Sequence, residues 1–422
     1  MRILLMLTAV LCTVSWAQEA DSDRLVAAAA HMKTDERIVA YQKLATAKPD
    51  DLHFQNLLAG AYIQKMRETT DFGYIERAEK LVAHTLTAES SNYEALRLRS
   101  EIGLERHHFA EVAGFSREMI RIAPDDSWNW GTLGDALMEL GQYDEAADAY
   151  QKMMLLRPNQ ASYNRASYYR WVMGDAEGAI SIMQRAIDAG SPAPENTAWC
   201  LVDLGNLYFK TGQLDRAAET FATALRTFPG YHPAYAGQGR VLASQGKTAE
   251  AIESFQKAQA VVPMPEYAAA LADLYERTGK KEAARRQLEL LDVVDRMVIA
   301  NNEKTNRNLA LVFADQGRKL GRALELAQAE LGVRGDVYTY DALAWVLYKN
   351  GRYAEAEQAA TKALRFGTPE PAFHFHAGMI AVALGKKDAA AKNLDRALAL
   401  NPKFDRRQAE IAGVTLRTLR TP

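Results

Sequence analysis

Cysteine is nearly absent from this chain: Cys12 and Cys200 are the only two in 422 residues. Cys12 lies in an N-terminal segment that reads as removable, so an internal disulfide is excluded and stability must come from packing. Charge of one sign is lacking too. The 51 Lys and Arg oppose 53 Asp and Glu, a formal net charge of -2, which leaves no basic excess to neutralise phosphates and argues against nucleic acid as a partner. Long apolar runs are missing as well, since the stretch 3–14 is shorter than the roughly 20 residues of a membrane span. Catalytic signatures are absent: no P-loop, no G-x-G-x-x-G after a strand, no H-E-x-x-H, no C-x-x-C and no G-x-S-x-G. Cys200 sits among Ala198, Trp199, Leu201 and Val202 with no neighbouring base, so it reads as a small buried hydrophobe rather than a nucleophile. What is present is ordinary for a folded protein, 48% hydrophobic and 25% charged residues, and this excludes wholesale disorder.

The first residues read as a targeting segment. Arg2 supplies the positive charge, residues 3–14 the apolar core, and Ser15-Trp16-Ala17 the small residues at a cleavage site after Ala17. Export to the periplasm or outside the cell is the expectation. Leu11 before Cys12 departs from a lipoprotein signal. Without residues 1–17 the chain keeps 50 basic and 53 acidic residues, and a single cysteine.

Punctuation then recurs at a nearly fixed period. Gly141, Gly174, Gly212, Gly246, Gly279, Gly317, Gly351 and Gly385 follow one another at intervals of 33 to 38 residues. Each is trailed by an alanine: Ala146, Ala179, Ala217, Ala251, Ala284, Ala323, Ala356 and Ala390. Pro124, Pro158, Pro192, Pro229, Pro263 and Pro402 close units at the same spacing. Such a unit is a helix, a glycine turn, a second helix and a proline-marked exit. Glycine ends the first helix without Cβ strain, and alanine lets the second helix approach closely. Leu133, Leu204, Tyr208, Phe221 and Phe255 fill the space between pairs. No single pair buries its own apolar face, so the units must stack.

These motifs resemble the tetratricopeptide repeat. The fullest matches are Trp130-x2-Leu133-Gly134-x2-Leu137…Gly141…Ala146…Tyr150…Pro158 and Leu201-x2-Leu204-Gly205-x2-Tyr208…Gly212…Ala217…Phe221…Pro229. The units run 52–92, 93–126, 127–160, 161–197, 198–231, 232–265, 266–302, 303–336, 337–370 and 371–404. The resemblance implies an all-α fold, one continuous right-handed α-solenoid of about ten to eleven antiparallel helix pairs. Its organisation follows: signal peptide 1–17, a shortened N-terminal repeat over 18–50, the solenoid over 51–404, and a capping helix with a tail over 405–422. Between Tyr62 and Ala78 the connection is longer than elsewhere, and polar residues 66–73 read as an inserted loop.

In that family the first helix of each unit lines a concave groove at fixed positions. Carried onto this chain, those positions hold Trp128, Tyr168, Trp171, Trp199, Phe209, Tyr338, Trp345 and Tyr348, accompanied by Asp135, Asn164, Asn206, Arg240 and Asp341. Trp130 takes the core position instead. Aromatic anchors interspersed with hydrogen-bonding groups suit the capture of an extended peptide. Family members that grip a terminal carboxylate use matched Lys and Asn; here Asn206 fits, Val202 stands in place of the lysine, and Arg240 offers a partial substitute. Glu94, Glu101 and Glu105 make an N-terminal part of the groove acidic.

The other candidate chemistry has a plain reading. Gly174-Asp175-Ala176-Glu177-Gly178 lies in an interhelical turn without the spaced ligands of a calcium loop. His107-His108 and His374-Phe375-His376 lack the i, i+4 spacing of a helical metal pair, and Asp125-Asp126 belong at a helix N-terminus. The expectation is a non-catalytic scaffold or assembly factor with a protein or peptide partner, and no metal, cofactor or catalytic residue. An enzyme or metal-handling protein, or a self-associating structural protein using the convex face or terminal repeats, are the alternatives.

Overall fold

The computed structural model describes residues 22–191, 193–300 and 303–421. The expected signal peptide 1–17 and Pro192 lie outside them. Among the described residues every regular element is a helix, and no helix is long and apolar enough to cross a membrane. The chain divides into two compact units at His107 and His108. The helix pairs build the expected all-α solenoid, and this boundary falls inside the expected unit 93–126, with its two helices in different units.

The first unit holds α1 (22–29), α2 (Thr34–Ala47), α3 (Leu52–Thr69), α4 (Gly73–Ala88) and α5 (Tyr93–Glu105). Its core gathers Tyr41, Phe54, Tyr62, Ile63, Met66, Ile75 and Val82. The inserted loop expected over 66–73 is instead mostly helix. Polar residues at this end of α3 find partners on α2: Lys65 pairs with Asp35 at 2.7 Å and Thr34 donates to Glu68 at 2.5 Å. α3 therefore runs on until Thr70, which takes a positive φ of 57°.

The second unit begins with α6 (Phe109–Ile122) and continues as helix pairs: α7 (Ser127–Glu139) with α8 (Tyr143–Leu156), α9 (Gln160–Val172) with α10 (Ala176–Ala189), and α11 (Pro194–Lys210) with α12 (Leu214–Thr227). Then come α13 (His232–Ser244) with α14 (Thr248–Val261), α15 (Pro265–Arg277) with α16 (Lys281–Ala300), and α17 (Arg307–Asp315) with α18 (Leu320–Leu331). The pairs α19 (Val337–Lys349) with α20 (Tyr353–Ala363) and α21 (Pro371–Ala383) with α22 (Lys387–Leu400) precede a final α23 (Arg406–Arg420). Within the second unit consecutive helices pack on one another, except that α17 packs on α15 rather than on α16. The eight periodic alanines are all buried, each on the second helix of its pair. Asp126 and Asp175 cap α7 and α10 by accepting N–H bonds from Trp128 and Gly178, both at 2.9 Å. Asp175, linked to Gly178 and Arg170, titrates below its ordinary value.

The stack then comes back onto itself. The loop before α19 lies against the end of α7: the Gly335 N–H donates to the Glu139 carbonyl at 2.9 Å, the Val337 N–H to the Tyr143 hydroxyl at 3.0 Å, and Arg334 pairs with the Glu139 carboxylate at 2.9 Å. The loop before α21 lies against the end of α9, with Thr368 Oγ1 donating to the Val172 carbonyl at 2.7 Å. The loop before α23 reaches α11, where Asn401 Nδ2 donates to the Phe209 carbonyl at 2.6 Å. Helix C-termini leave carbonyls without intrahelical partners, and here later loops supply the donors. This line of contacts is a seam between an earlier and a later turn of the same stack. Gly141 permits it: at φ 74° it turns the chain out of α7, and any Cβ there would stand 2.3 Å from the Gly335 carbonyl oxygen.

Candidate functional site

The expected groove residues lie on the first helices of their pairs, and the seam decides how many of them face solvent. Trp171, near the end of α9, is only 1% exposed. Its Nε1 donates to the Tyr338 hydroxyl across the seam at 3.0 Å, and Lys210 Nζ lies 5.4 Å and 5.5 Å from the two ring centres. Lys210 is itself held by Glu370 at 2.6 Å. Burial opposes the lysine's charge, but Glu370 outweighs it and the pKa is raised. Tyr338, half-buried, packs edge-on against Phe373, and burial pushes its hydroxyl up to about 12.

Four of the expected groove residues are therefore core. Trp171 is covered by the later turn of the chain's own stack. Phe209 is buried where Asn401 caps α11, with the Arg240 guanidinium 5.7 Å from its ring centre. Asp341 is buried with His376 Nδ1 3.0 Å from both its carboxylate oxygens. Trp345 is buried in a stack between Tyr348 (4.9 Å) and His376 (4.2 Å), its Nε1 donating to Asp315 at 2.8 Å. Asp135, expected as a polar contact for a guest, is engaged internally: Arg165 grips both its oxygens, at 2.8 Å and 2.6 Å, and the Tyr150 hydroxyl donates to it at 2.9 Å. Tyr348 is half-buried within the Trp345 stack and beside Tyr353.

A smaller set stays accessible. Trp199 is 37% exposed. Arg240 is exposed, and Trp128, Asn164, Tyr168 and Asn206 are half-buried. On adjacent helices Arg240 Nη2 donates to Asn206 Oδ1 at 2.6 Å. Surrounding protein desolvates the guanidinium and holds its pKa below the ordinary value, against the opposing pull of Tyr267, Glu370 and Glu266. Asn206 also hydrogen-bonds Asp203 one turn earlier, whose carboxyl is raised by burial to about 7, with Lys210 and Asn206 acting the other way. Asn164 Nδ2 lies 3.9 Å from the buried Cys200 sulfur. Trp130 anchors the start of α7, its Nε1 donating to the Pro124 carbonyl at 2.8 Å.

Sequence reasoning missed Asp203, Lys210, Glu266 and Arg307, charged groups on the first helices of their pairs. Among the described residues no cluster of three or more His, Cys, Asp or Glu side chains is placed to hold a metal ion. In the first unit Glu94 lies 3.3 Å from His53 Nδ1 and accepts from Asn56 at 3.4 Å.

Family models described as tetratricopeptide repeat match residues 128–160, 157–229, 202–263, 237–293 and 342–409, together more than half of the chain. No curated protein matches it. Among solved structures, the chain resembles MamA at 21% identity (TM-score 0.32, 38% of this chain and 93% of that one). It resembles the type IV pilus biogenesis factor PilW at 14% identity (TM-score 0.43, 48% and 93%). It resembles yeast Tom70 at 14% identity (TM-score 0.36, 96% and 98%).

Proposed function

Because the chain belongs to the tetratricopeptide repeat family and is a protein-interaction scaffold of that kind, we propose that its concave face binds an extended peptide or protein segment outside the cytoplasm, without catalysis. The observation that carries this reading is that Trp199 and Arg240, on neighbouring first helices, both keep exposed side chains. An exposed aromatic ring and an exposed guanidinium, fixed by Asn206 and set beside the Phe209 ring, suit recognition of a guest better than contact with water alone. Asn164, Tyr168, Asn206 and Trp128 flank them with hydrogen-bonding groups and further aromatic area. Residues 3–17, with their apolar stretch and small residues before the cleavage point, support export.

The test is capture of a partner by the exported protein beside a Trp199→Ala/Arg240→Ala variant. Both side chains are exposed, and unchanged helical content of the variant is confirmed first by far-UV circular dichroism. Truncating interface anchors costs about 2 kcal/mol each, so affinity for a captured partner falls at least about thirtyfold. Unchanged affinity in a folded variant defeats the reading.

A further inference from the structure

We propose that the seam in the second unit is a proton-linked latch, closed by acid and released by base, that covers Trp171 and Tyr338 and shuts the concave face along one side. Two observations on the seam carry this, and neither depends on a guest.

The first is its make-up. Within the stack, neighbouring pairs meet through apolar side chains such as Phe221, Phe255, Phe313 and Leu326. Across the seam the contacts are mainly backbone N–H groups, hydroxyls, an amide and ion pairs. Ring contacts add to them, such as Tyr143 edge-on to Phe366 at 5.1 Å. Polar interfaces of this kind open more readily than apolar cores.

The second is its charge. Three carboxylates, Glu139, Glu330 and Asp336, surround two guanidiniums. Arg334 binds Glu139 at 2.9 Å and Glu330 at 2.7 Å, and Arg307 binds Asp336 at 3.2 Å. The other charged and titratable groups facing this cluster are engaged elsewhere or lie at its exposed edge. Asp135 is already matched by Arg165. The hydroxyls of Tyr143, Tyr168 and Tyr338 are raised by burial and stay neutral. Arg365 is exposed and lies over the Tyr143 ring. Burial raises Glu139, the nearby Asp336 charge adding to it, and burial raises Glu330. For Arg307, burial opposes the charge but Asp336 prevails and raises it.

The sign follows from linkage. In the open state Glu139 and Glu330 are hydrated and lose the burial that raises them, so closing takes up a proton. Closure is fully favoured below the ordinary carboxylate value and weakens as pH rises toward the raised value of the closed state. Exchange of one proton shifts the open-to-closed ratio by up to about tenfold per pH unit within that window.

Hydrogen exchange of the Gly335 and Val337 amides, which donate across the seam, reads the opening directly. After correction for intrinsic exchange, their protection falls together between pH 5 and pH 8, while amides inside α19 keep theirs. In Glu139→Gln the surplus charge is gone and an acceptor for Arg334 remains, so protection at pH 8 returns to within a few-fold of its pH 5 value. Glu330→Gln gives the same flattening and carries the test if the first variant does not fold. Seam amides as protected as those of α19 at every pH overturn the latch, as does a pH slope that survives both substitutions. Such a failure leaves the binding reading intact, because Trp199 and Arg240 are accessible with the seam closed.

Discussion

Phe221→Ala is expected to destabilise the second unit by about 3–5 kcal/mol, the range for deleting a fully buried phenylalanine. The side chain is 0% exposed and projects from α12 between two first helices. A Cβ added at Gly205 of α11 would lie 2.6 Å from its ring, and one at Gly237 of α13 2.4 Å. The ring thus touches the backbone of both helices, and its loss empties the junction between two repeats. In a stacked array stability is the sum of each unit and its nearest-neighbour interfaces, so one wedge of this kind couples everything on either side. Urea denaturation followed by far-UV circular dichroism measures the effect. Phe221→Leu, which fills part of the space, should cost clearly less. A loss below about 1 kcal/mol for Phe221→Ala would mean the site collapses around the gap, contrary to the tight glycine contacts.

Gly141→Ala and Gly351→Ala form a matched pair for the seam. Both glycines close the first helix of a pair, at φ 74° and 76°, so each substitution meets the same left-handed backbone penalty of about 1–2 kcal/mol. They differ in surroundings. The new methyl at position 141 would collide with the Gly335 backbone oxygen, whereas nothing lies within 4 Å of position 351. Gly351→Ala therefore reports local strain alone, and Gly141→Ala adds a displaced loop with loss of the Gly335 and Val337 hydrogen bonds. The expected cost at position 141 is at least about twice that at 351, accompanied by a larger radius of gyration in X-ray scattering. Equal costs and equal radii would mean that the seam contributes nothing to the second unit.

Much of this fold is written in the sequence as a local pattern. The glycine, alanine and proline spacing located the helix pairs because each residue acts within its own pair. Leu133, Leu204, Tyr208, Phe221 and Phe255 are all buried as that pattern implies. The accessible face was harder to read, for the same reason inverted. Trp171 and Tyr338 are 167 residues apart, Thr368 and Val172 196 apart, and Asn401 and Phe209 192 apart. Position within one repeat gives no information about a loop arriving from the later turn. Gly141 and Gly351 are the same letter at the same place in the period, with one against a backbone and the other open. The faint cue was buried polarity in connecting loops: Thr368 and Asn401 are both fully covered, and a buried polar group demands a partner. Asp135 is held by Arg165 on the next first helix, a partner that its position within one repeat does not disclose. Residues 66–73 looked like a loop because they are polar, but polarity there matched α2 and extended α3.

Site-specific photo-crosslinking tests most directly whether partners bind on the concave face. A benzophenone amino acid replaces Trp199 in one version and Leu155 in another. Leu155 is 74% exposed on α8, the second helix of its pair, so both probes are accessible and neither disturbs the core. The concave-face account predicts a covalent adduct with a partner from position 199, abolished by Arg240→Ala, and none from position 155. Adducts from position 155 with none from 199 would contradict it and move the binding surface to the outer helices.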